Sequence, residues 1–391
     1  MNAPATRTKE HCREWVRNGV EVTIITCVPN FPEGKIFSNY KNKLIQKEYV
    51  DGIKVIRVWS YISSNQGTFK RIIDYISFSI MSFFVGLFQN MDIVIATSPQ
   101  FFTAISGFLL SLFKRKPWVF EIRDLWPESI QAVGVLTNRT ILGMLETMEL
   151  FLYKRANMII SVTESIKYDL VNRGINKSKI QIIKNGVDLS LYKPKPIDVR
   201  LLDKLRLNEK FIVSYIGTHG LAHGLGFILD SIKNVNNVIH FLFIGGGASK
   251  EALVLKAKEL ELHNCTFIDF VQKDQIIKYL SISDIALVNL KKSETFKTVI
   301  PSKIFENAAM NIPILLGVEG EAKSIINNNK SGECFMPENK YDFLKKLDLM
   351  YQRLIIDEDY YSDGLRVLAE IHDRKKLAAK MLVYIGSAIK K

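Results

Sequence analysis

The feature that most constrains this chain is a rhythm. Short apolar runs alternate with helical segments along most of its length. In the second half the runs fall at residues 211–216, 240–244, 266–268, 285–288 and 314–316. In the first half they fall at 53–58, 92–97, 118–122, 157–162 and 179–183, with helical patterns over 101–113, 140–155 and 164–173. Runs of this length with little polar alternation suit strands covered on both faces, and strands joined through helices run parallel. The rhythm therefore predicts an α/β protein with two parallel sheets, closed by helices over 341–391. At 391 residues the chain has room for two domains of ordinary size.

The start breaks the rhythm. Residues 5–18 read as a helix, Gly19 follows, and 20–26 read as a strand. A doubly wound domain normally begins with a strand, then a glycine-bearing turn, then that helix. Here the first strand is missing. It belongs in the middle of the sheet, so its loss exposes two ladders of backbone donors and acceptors. The chain reads as shortened, or as translated from an internal start. A complete sheet, with its central strand drawn from elsewhere in 1–195, would refute that reading. Residues 28–52 read as a long irregular segment of the kind that often carries function.

Charge narrows the partners. The net charge is +13, and residues 1–195 hold 26 Lys and Arg against 16 Asp and Glu. A basic half suits nucleic acid, acidic lipid or a phosphorylated substrate. No helix-turn-helix, zinc-finger or RNP pattern is present, which disfavours nucleic acid. Lys70 and Arg71 introduce an apolar helical stretch at 72–88, and Lys114, Arg115 and Lys116 close another at 101–113. Asp74 and several serines interrupt the first, so it does not read as a membrane span. Such helices either pack inside the fold or lie on a lipid surface beside their cations, and the flanking charge favours the surface. Cys12, Cys27, Cys265 and Cys334 are scattered, as reduced thiols in a cytosolic protein would be. No signal-peptide pattern opens the chain. Asp357-Glu358-Asp359 lies in a charged helical run and reads as a solvated face; no metal site and no cofactor are expected.

Three stretches carry chemistry. The strand at 211–216 runs into Gly217-Thr218-His219-Gly220-Leu221-Ala222-His223-Gly224. Strand, glycine-rich loop and helix make a phosphate cradle, because backbone amides can approach the anion. His219 and His223 are hydrogen-bond donors to such an anion or simply fill the loop. Gly245-Gly246-Gly247 forms a second tight turn. In the next stretch Pro301 resets the chain, Ser302 can cap a helix, Lys303 sits in its first turn and Glu306 one turn on. A cation beside two acceptors suits a phosphate next to a diol. A capped amphipathic helix with a surface Lys and Glu fits equally well. The third stretch, Arg123-Asp124-Leu125-Trp126-Pro127-Glu128, follows the strand at 118–122, where open α/β sheets bind ligands. There Arg123 can pair with phosphate, and Asp124 and Glu128 can bind hydroxyls or act as a base. Alternatively, Arg123 and Asp124 pair to close a loop.

Pro301-Ser302-Lys303-Ile304-Phe305-Glu306-Asn307, with Asn311-Ile312-Pro313 after it, resembles the donor-site segment of the family-four glycosyltransferases. Asp124-Leu125-Trp126-Pro127-Glu128-Ser129 is similar to a hallmark of their bacterial branch that builds O-antigen and capsule repeats, including the L-fucosamine (FucNAc) transferases. The resemblance covers almost the whole chain. It implies the GT-B architecture, two Rossmann-like domains facing a cleft: an acceptor domain at 1–190, a nucleotide-sugar domain at 191–372, and a final helix at 373–391 packing back on the first. It implies a UDP-sugar donor held by Gly217, His219, Gly220, His223, Gly246, Val271, Pro301, Ser302, Lys303 and Glu306. Glu306 takes the ribose hydroxyls and, with Lys303, Arg123 and Asp124, takes part in catalysis. Asp124, Trp126 and Glu128 lie on the acceptor side. The acceptor implied is a saccharide on a polyprenyl diphosphate, used by a peripheral enzyme at the inner face of the cytoplasmic membrane. The family's usual reaction is retaining and needs no metal. Three departures stand out. Thr298 occupies the place of a second glutamate, no histidine accompanies Asp124, and His219 and His223 stand where relatives often put Arg and Lys. The same architecture also serves UDP-sugar epimerases, and a sugar-nucleotide-binding protein without activity is a further alternative.

Overall fold

A computed structural model describes residues 3–30, 34–63, 68–98, 100–125 and 138–389. The first elements are helix α1 (Ala3–Arg17), strands β1 (Thr23–Thr26), β2 (Ile45–Val50) and β3 (Ile53–Val58), and helix α2 (Thr68–Leu87). Next come β4 (Val94–Thr97), α3 (Phe101–Lys114), β5 (Trp118–Ile122), α4 (Arg139–Arg155), β6 (Met158–Ser161), α5 (Glu164–Asn172) and β7 (Ile180–Ile182). After α6 (Val199–Leu205), the second half runs β8 (Phe211–Ile216), α7 (Leu225–Ser231), β9 (Ile239–Ile244), α8 (Lys250–Glu259), β10 (Cys265–Ile268) and α9 (Lys273–Leu280). It continues with β11 (Ile285–Asn289), α10 (Lys303–Ala309), β12 (Ile314–Gly317), α11 (Glu321–Asn329) and β13 (Gly332–Cys334). Three helices close the chain: α12 (Lys340–Ile356), α13 (Ser362–Ile371) and α14 (Arg374–Ile389).

The chain forms two compact units, Met1–Lys184 with Lys375–Lys391, and Asn185–Arg374. The first contains two sheets. One has the order β1-β3-β2 and the other β4-β5-β6-β7, with every pair parallel except β2 with β3. No pairing joins the two sheets among the described residues. They nevertheless share a core: Ile24, Ile53 and Val55 from one and Ile95, Val119 and Ile160 from the other pack with Trp15 of α1 and Met381 and Ile385 of α14. Trp15 donates from Nε1 to the Ala378 carbonyl at 2.9 Å, which pins α1 to α14.

Residues 28–52 are not irregular throughout. Their end is β2, which returns antiparallel to β3 through Asp51 (φ 55°) and Gly52 (φ 80°). Asp-Gly with both residues left-handed is the two-residue hairpin turn whose twist matches the strands. The strand was hard to read because it alternates exposed and half-buried residues, with no continuous apolar run. Asp357, Glu358 and Asp359 are exposed as expected, but they form the turn after α12 rather than part of a helix. Their carboxylates satisfy local donors: Asp357 accepts from the Asp359 amide, and Asp359 from the Ser362 hydroxyl.

The second unit is one six-stranded parallel sheet in the order β10-β9-β8-β11-β12-β13. Chain order reverses between β8 and β11, the point at which open α/β sheets leave a crevice past their strand ends. Strands β8, β9, β11 and β12 are almost wholly buried, as their unbroken apolar runs require.

Candidate functional site

The loops after β8 and β11 meet at that reversal. Gly217 follows β8 with φ 153°, and a Cβ there would lie 2.4 Å from the Lys303 ammonium nitrogen. Only a residue without a side chain lets Lys303 come so close. A Cβ on Gly245 would lie 1.9 Å from the Gly217 carbonyl oxygen, so the two glycine turns also interlock through bare backbone. Hydrogen bonds stitch them together: the His219 amide donates to the Gly246 carbonyl at 2.8 Å, and the Ser249 amide to the His219 carbonyl at 2.9 Å. Gly246 thus supports the first loop with its carbonyl.

Lys303 is the centre of this arrangement. Its Nζ is buried, has no hydrogen-bond partner among the described residues, and rests 4.0 Å from the centroid of the Tyr215 ring. Burial pulls its pKa from 10.5 down to about 8, with the Glu306 carboxylate acting in the opposite direction. A cation–π contact offsets only part of the cost of desolvating an ammonium. Tyr215 also fixes the loop, its hydroxyl donating to the Thr218 carbonyl at 2.8 Å. Sequence reasoning passed over Tyr215 because a tyrosine near the end of an apolar strand reads as core.

His219, His223 and Glu306 lie close enough to this cation to interact with its charge. Glu306 is partly exposed, one turn along α10. Pro301 accepts from the Ile304 amide, but the Ser302 side chain makes no capping bond; its backbone is already helical (φ −61°, ψ −25°), which turns the hydroxyl away from the cap position. His219 is wholly buried, its ring near Tyr215 and Phe267, and neither ring nitrogen has a hydrogen-bond partner among the described residues. Its ring fills the base of the loop. Burial, then the charges of Lys250 and Lys303, push its pKa down to about 4. His223 is half-buried and also pushed down to about 4, mainly by burial and Lys303. Both imidazoles are therefore neutral at pH 7. Asn289, which the sequence did not single out, donates to the His223 carbonyl at 2.8 Å and leaves its buried Oδ1 without a partner. Gly220 lies beside the His223 ring, and Val271 packs with Leu242, Ile244 and Tyr279 on the far side of β9.

In the first unit the expected roles change. Arg123 does not pair with Asp124. It donates to Glu121 Oε2 at 2.7 Å and to the Thr8 hydroxyl at 2.9 Å. Arg7 holds the other Glu121 oxygen at 2.9 Å and reaches the carbonyls of Ile183 and Lys184. The reason is burial: Glu121 lies inside a wholly buried strand and needs countercharge. Burial pushes its carboxyl up, but Arg123 and Arg7 outweigh that and hold it below the usual range. Arg123 thus supplies countercharge to a buried carboxylate. The acid in Trp118-Val119-Phe120-Glu121-Ile122 was the signal for this network. Asp124 is half-buried, and burial raises its pKa against the pull of Arg123. Trp126 and Glu128 lie outside the described residues. Among the described residues, no group of three acidic, His or Cys side chains gathers as a metal site would require.

Residues 5–191 match the model described as Glycosyltransferase Family 4, and residues 201–360 the one described as Glycosyl transferases group 1. The chain is a GT-B glycosyltransferase. A protein of Escherichia coli (strain K12) named for colanic acid biosynthesis, the glycosyl transferase WcaI, is 23% identical over 303 residues, 74% of each chain. A Bacillus subtilis (strain 168) glycosyltransferase named for teichuronic acid biosynthesis, TuaH, is 21% identical over 281 residues, 71% of this chain and 69% of that one. Among solved structures, sucrose-phosphate synthase from Thermosynechococcus elongatus superposes with a TM-score of 0.78 over 100% of this chain and 94% of its own, at 14% identity. Anabaena HepE, in complex with UDP and glucose, gives 0.68 over 86% and 87%, at 16% identity. These structures establish the glycosyltransferase's fold.

Proposed function

We propose that this glycosyltransferase moves a sugar from a UDP-sugar to a lipid-linked saccharide in the building of a bacterial surface polysaccharide. One observation carries the donor side: the Lys303 ammonium, buried and without a hydrogen-bond partner, held against the bare backbone of Gly217 at the sheet's reversal point. A diphosphate supplies the missing countercharge. Glu306, one turn on, takes the ribose hydroxyls. The HepE complexes with UDP and with UDP-glucose support a uridine donor. The names of the relatives, for colanic and teichuronic acid, support polysaccharide biosynthesis as the setting.

In this reading an acceptor hydroxyl oxygen bonds to the anomeric carbon while the bond from that carbon to the UDP oxygen breaks. The electron pair leaves on the diphosphate, where Lys303 stabilises it without a metal. The hydroxyl proton passes to a base, for which Asp124 is the candidate, and the configuration is retained. The donor is UDP-L-FucNAc, the acceptor a saccharide on polyprenyl diphosphate, and the enzyme works as a peripheral protein on the inner face of the cytoplasmic membrane.

The test is incubation of the protein with a panel of UDP-sugars, with and without lipid-linked acceptor, read by mass spectrometry. Product that requires acceptor supports transfer. A changed sugar without acceptor indicates an epimerase, and binding without any product indicates a non-catalytic protein.

A further inference from the structure

The first unit carries an apolar surface that the glycosyl-transfer reading does not by itself explain. Along α2, Ile72, Ile76, Ile80 and Phe84 recur every fourth residue and are all exposed, Phe84 at 54%, and Phe88 just past the helix end is exposed at 84%. That spacing makes one stripe along the helix, about 18 Å long at the usual rise per residue. The opposite side of α2 is the one that packs on the sheet, through Phe78, Met81 and Val85. The stripe is therefore surplus to the core.

Beside it, α2 and α3 enclose a groove of about 320 Å³, lined by Ile76, Ile80, Phe83, Phe102, Ile105 and Leu109 among others. Its two polar lining residues are already satisfied. Ser79 donates to the Phe102 carbonyl at 2.7 Å, and Ser106 pairs with Ser82 at 2.9 Å. The groove offers a ligand apolar contact and no hydrogen bond. Leu112 and Phe113 extend the exposed apolar surface at the end of α3.

Cations stand at both ends of the stripe. Lys70 and Arg71 lie at the start of α2, and Lys114 reaches its end, donating to the Leu87 carbonyl at 3.1 Å, with Arg115 and Lys116 following. No described helix is long and apolar enough to cross a membrane. A helix with an exposed apolar stripe between cationic ends is suited to lie in the plane of an anionic lipid surface.

We infer that the face made by α2 and α3 docks on an anionic bilayer and that the groove between them takes one hydrocarbon chain of a bilayer lipid. The inference deepens the peripheral-membrane reading above by naming the surface and the chemistry it grips. The apolar stripe enters the acyl boundary, the groove replaces water with a chain, and the end cations meet lipid phosphates.

The test uses the full chain and vesicles of phosphatidylcholine, with and without phosphatidylglycerol. Flotation should recover the wild type with the anionic vesicles, less so at high salt, and poorly with phosphatidylcholine alone. Ile80→Glu with Phe84→Glu should lower the vesicle-bound partition by about tenfold or more. Both positions are exposed, and an unchanged circular-dichroism spectrum and thermal unfolding midpoint of the full chain check that the variant is folded. For the groove itself, Leu109→Cys carrying a bimane label should be quenched by phosphatidylcholine brominated in its acyl chains.

A wild type that stays out of anionic vesicles, or a double variant that floats equally well, overturns the inference. Flotation without bimane quenching overturns the groove assignment. Loss of a dimer in the double variant, with no flotation of the wild type, makes a second copy the occupant instead. Transfer to a detergent-dispersed acceptor separates the two readings. Activity there with no flotation removes this inference alone, and flotation with no transfer removes the proposed function alone.

Discussion

At the residue scale, the site is defined by groups that are costly where they are. Lys303 holds a buried charge with no hydrogen-bond partner, and His219 holds two buried ring nitrogens in the same condition. Such costs are tolerated where a ligand removes them. Lys303→Met keeps the length of the side chain and removes the charge. It should raise the stability of the ligand-free protein by about 1–3 kcal/mol in urea denaturation at pH 7. The pH dependence has a definite sign. With its pKa lowered to about 8, folded Lys303 gives up its proton more readily than the unfolded chain does at 10.5. Stability from this group therefore rises as pH goes from about 8 to 10.5, and Lys303→Met should flatten that rise. His219 and His223 act at the acid end. Their folded pKa of about 4 means that stability falls as pH drops from 6.5 towards 4, and His219→Phe should reduce the slope in a denaturation series across that range.

At the element scale, much was legible. Unbroken apolar runs marked the central strands of the second unit's sheet because burial on both faces leaves no other pattern. The two glycine turns and α10 were legible as a candidate phosphate site because bare backbone and a lysine are what an anion needs. The contacts among them were not, since nothing in Phe-Ile-Val-Ser-Tyr-Ile says that Tyr215 will carry Lys303 on its face. Edge strand β2 was missed for lack of an apolar run, although Asp51-Gly52 marked its turn. The pairing of Arg123 with Glu121 was not legible because Glu121 lies two residues back, on β5, rather than beside Arg123 in the loop. Two predictions belong here. Gly245→Ala places a Cβ against the Gly217 carbonyl and should cost about 1–3 kcal/mol in thermal or urea unfolding. Glu121→Gln leaves Arg7 and Arg123 buried without countercharge and should cost about 3–5 kcal/mol by the same measurement.

At the scale of the molecule, the two units divide the work. The second holds the loops that the UDP-sugar reading requires, on a sheet whose strand order creates a crevice at β8 and β11. The first holds the basic excess, the Glu121 network and the exposed apolar face of α2 and α3. Hydrogen exchange on the whole chain should follow that division: UDP should slow exchange in the loops at 217–224 and 245–249 and at the start of α10, and leave α2 and α3 unchanged. Protection confined to the first unit would place the nucleotide elsewhere. The most direct measurement is a calorimetric titration of UDP into the wild type and into Lys303→Met at pH 7. The account predicts that the wild type binds UDP and that the variant, though at least as stable, binds about ten- to a hundredfold more weakly. Equal affinity in the two proteins would contradict it.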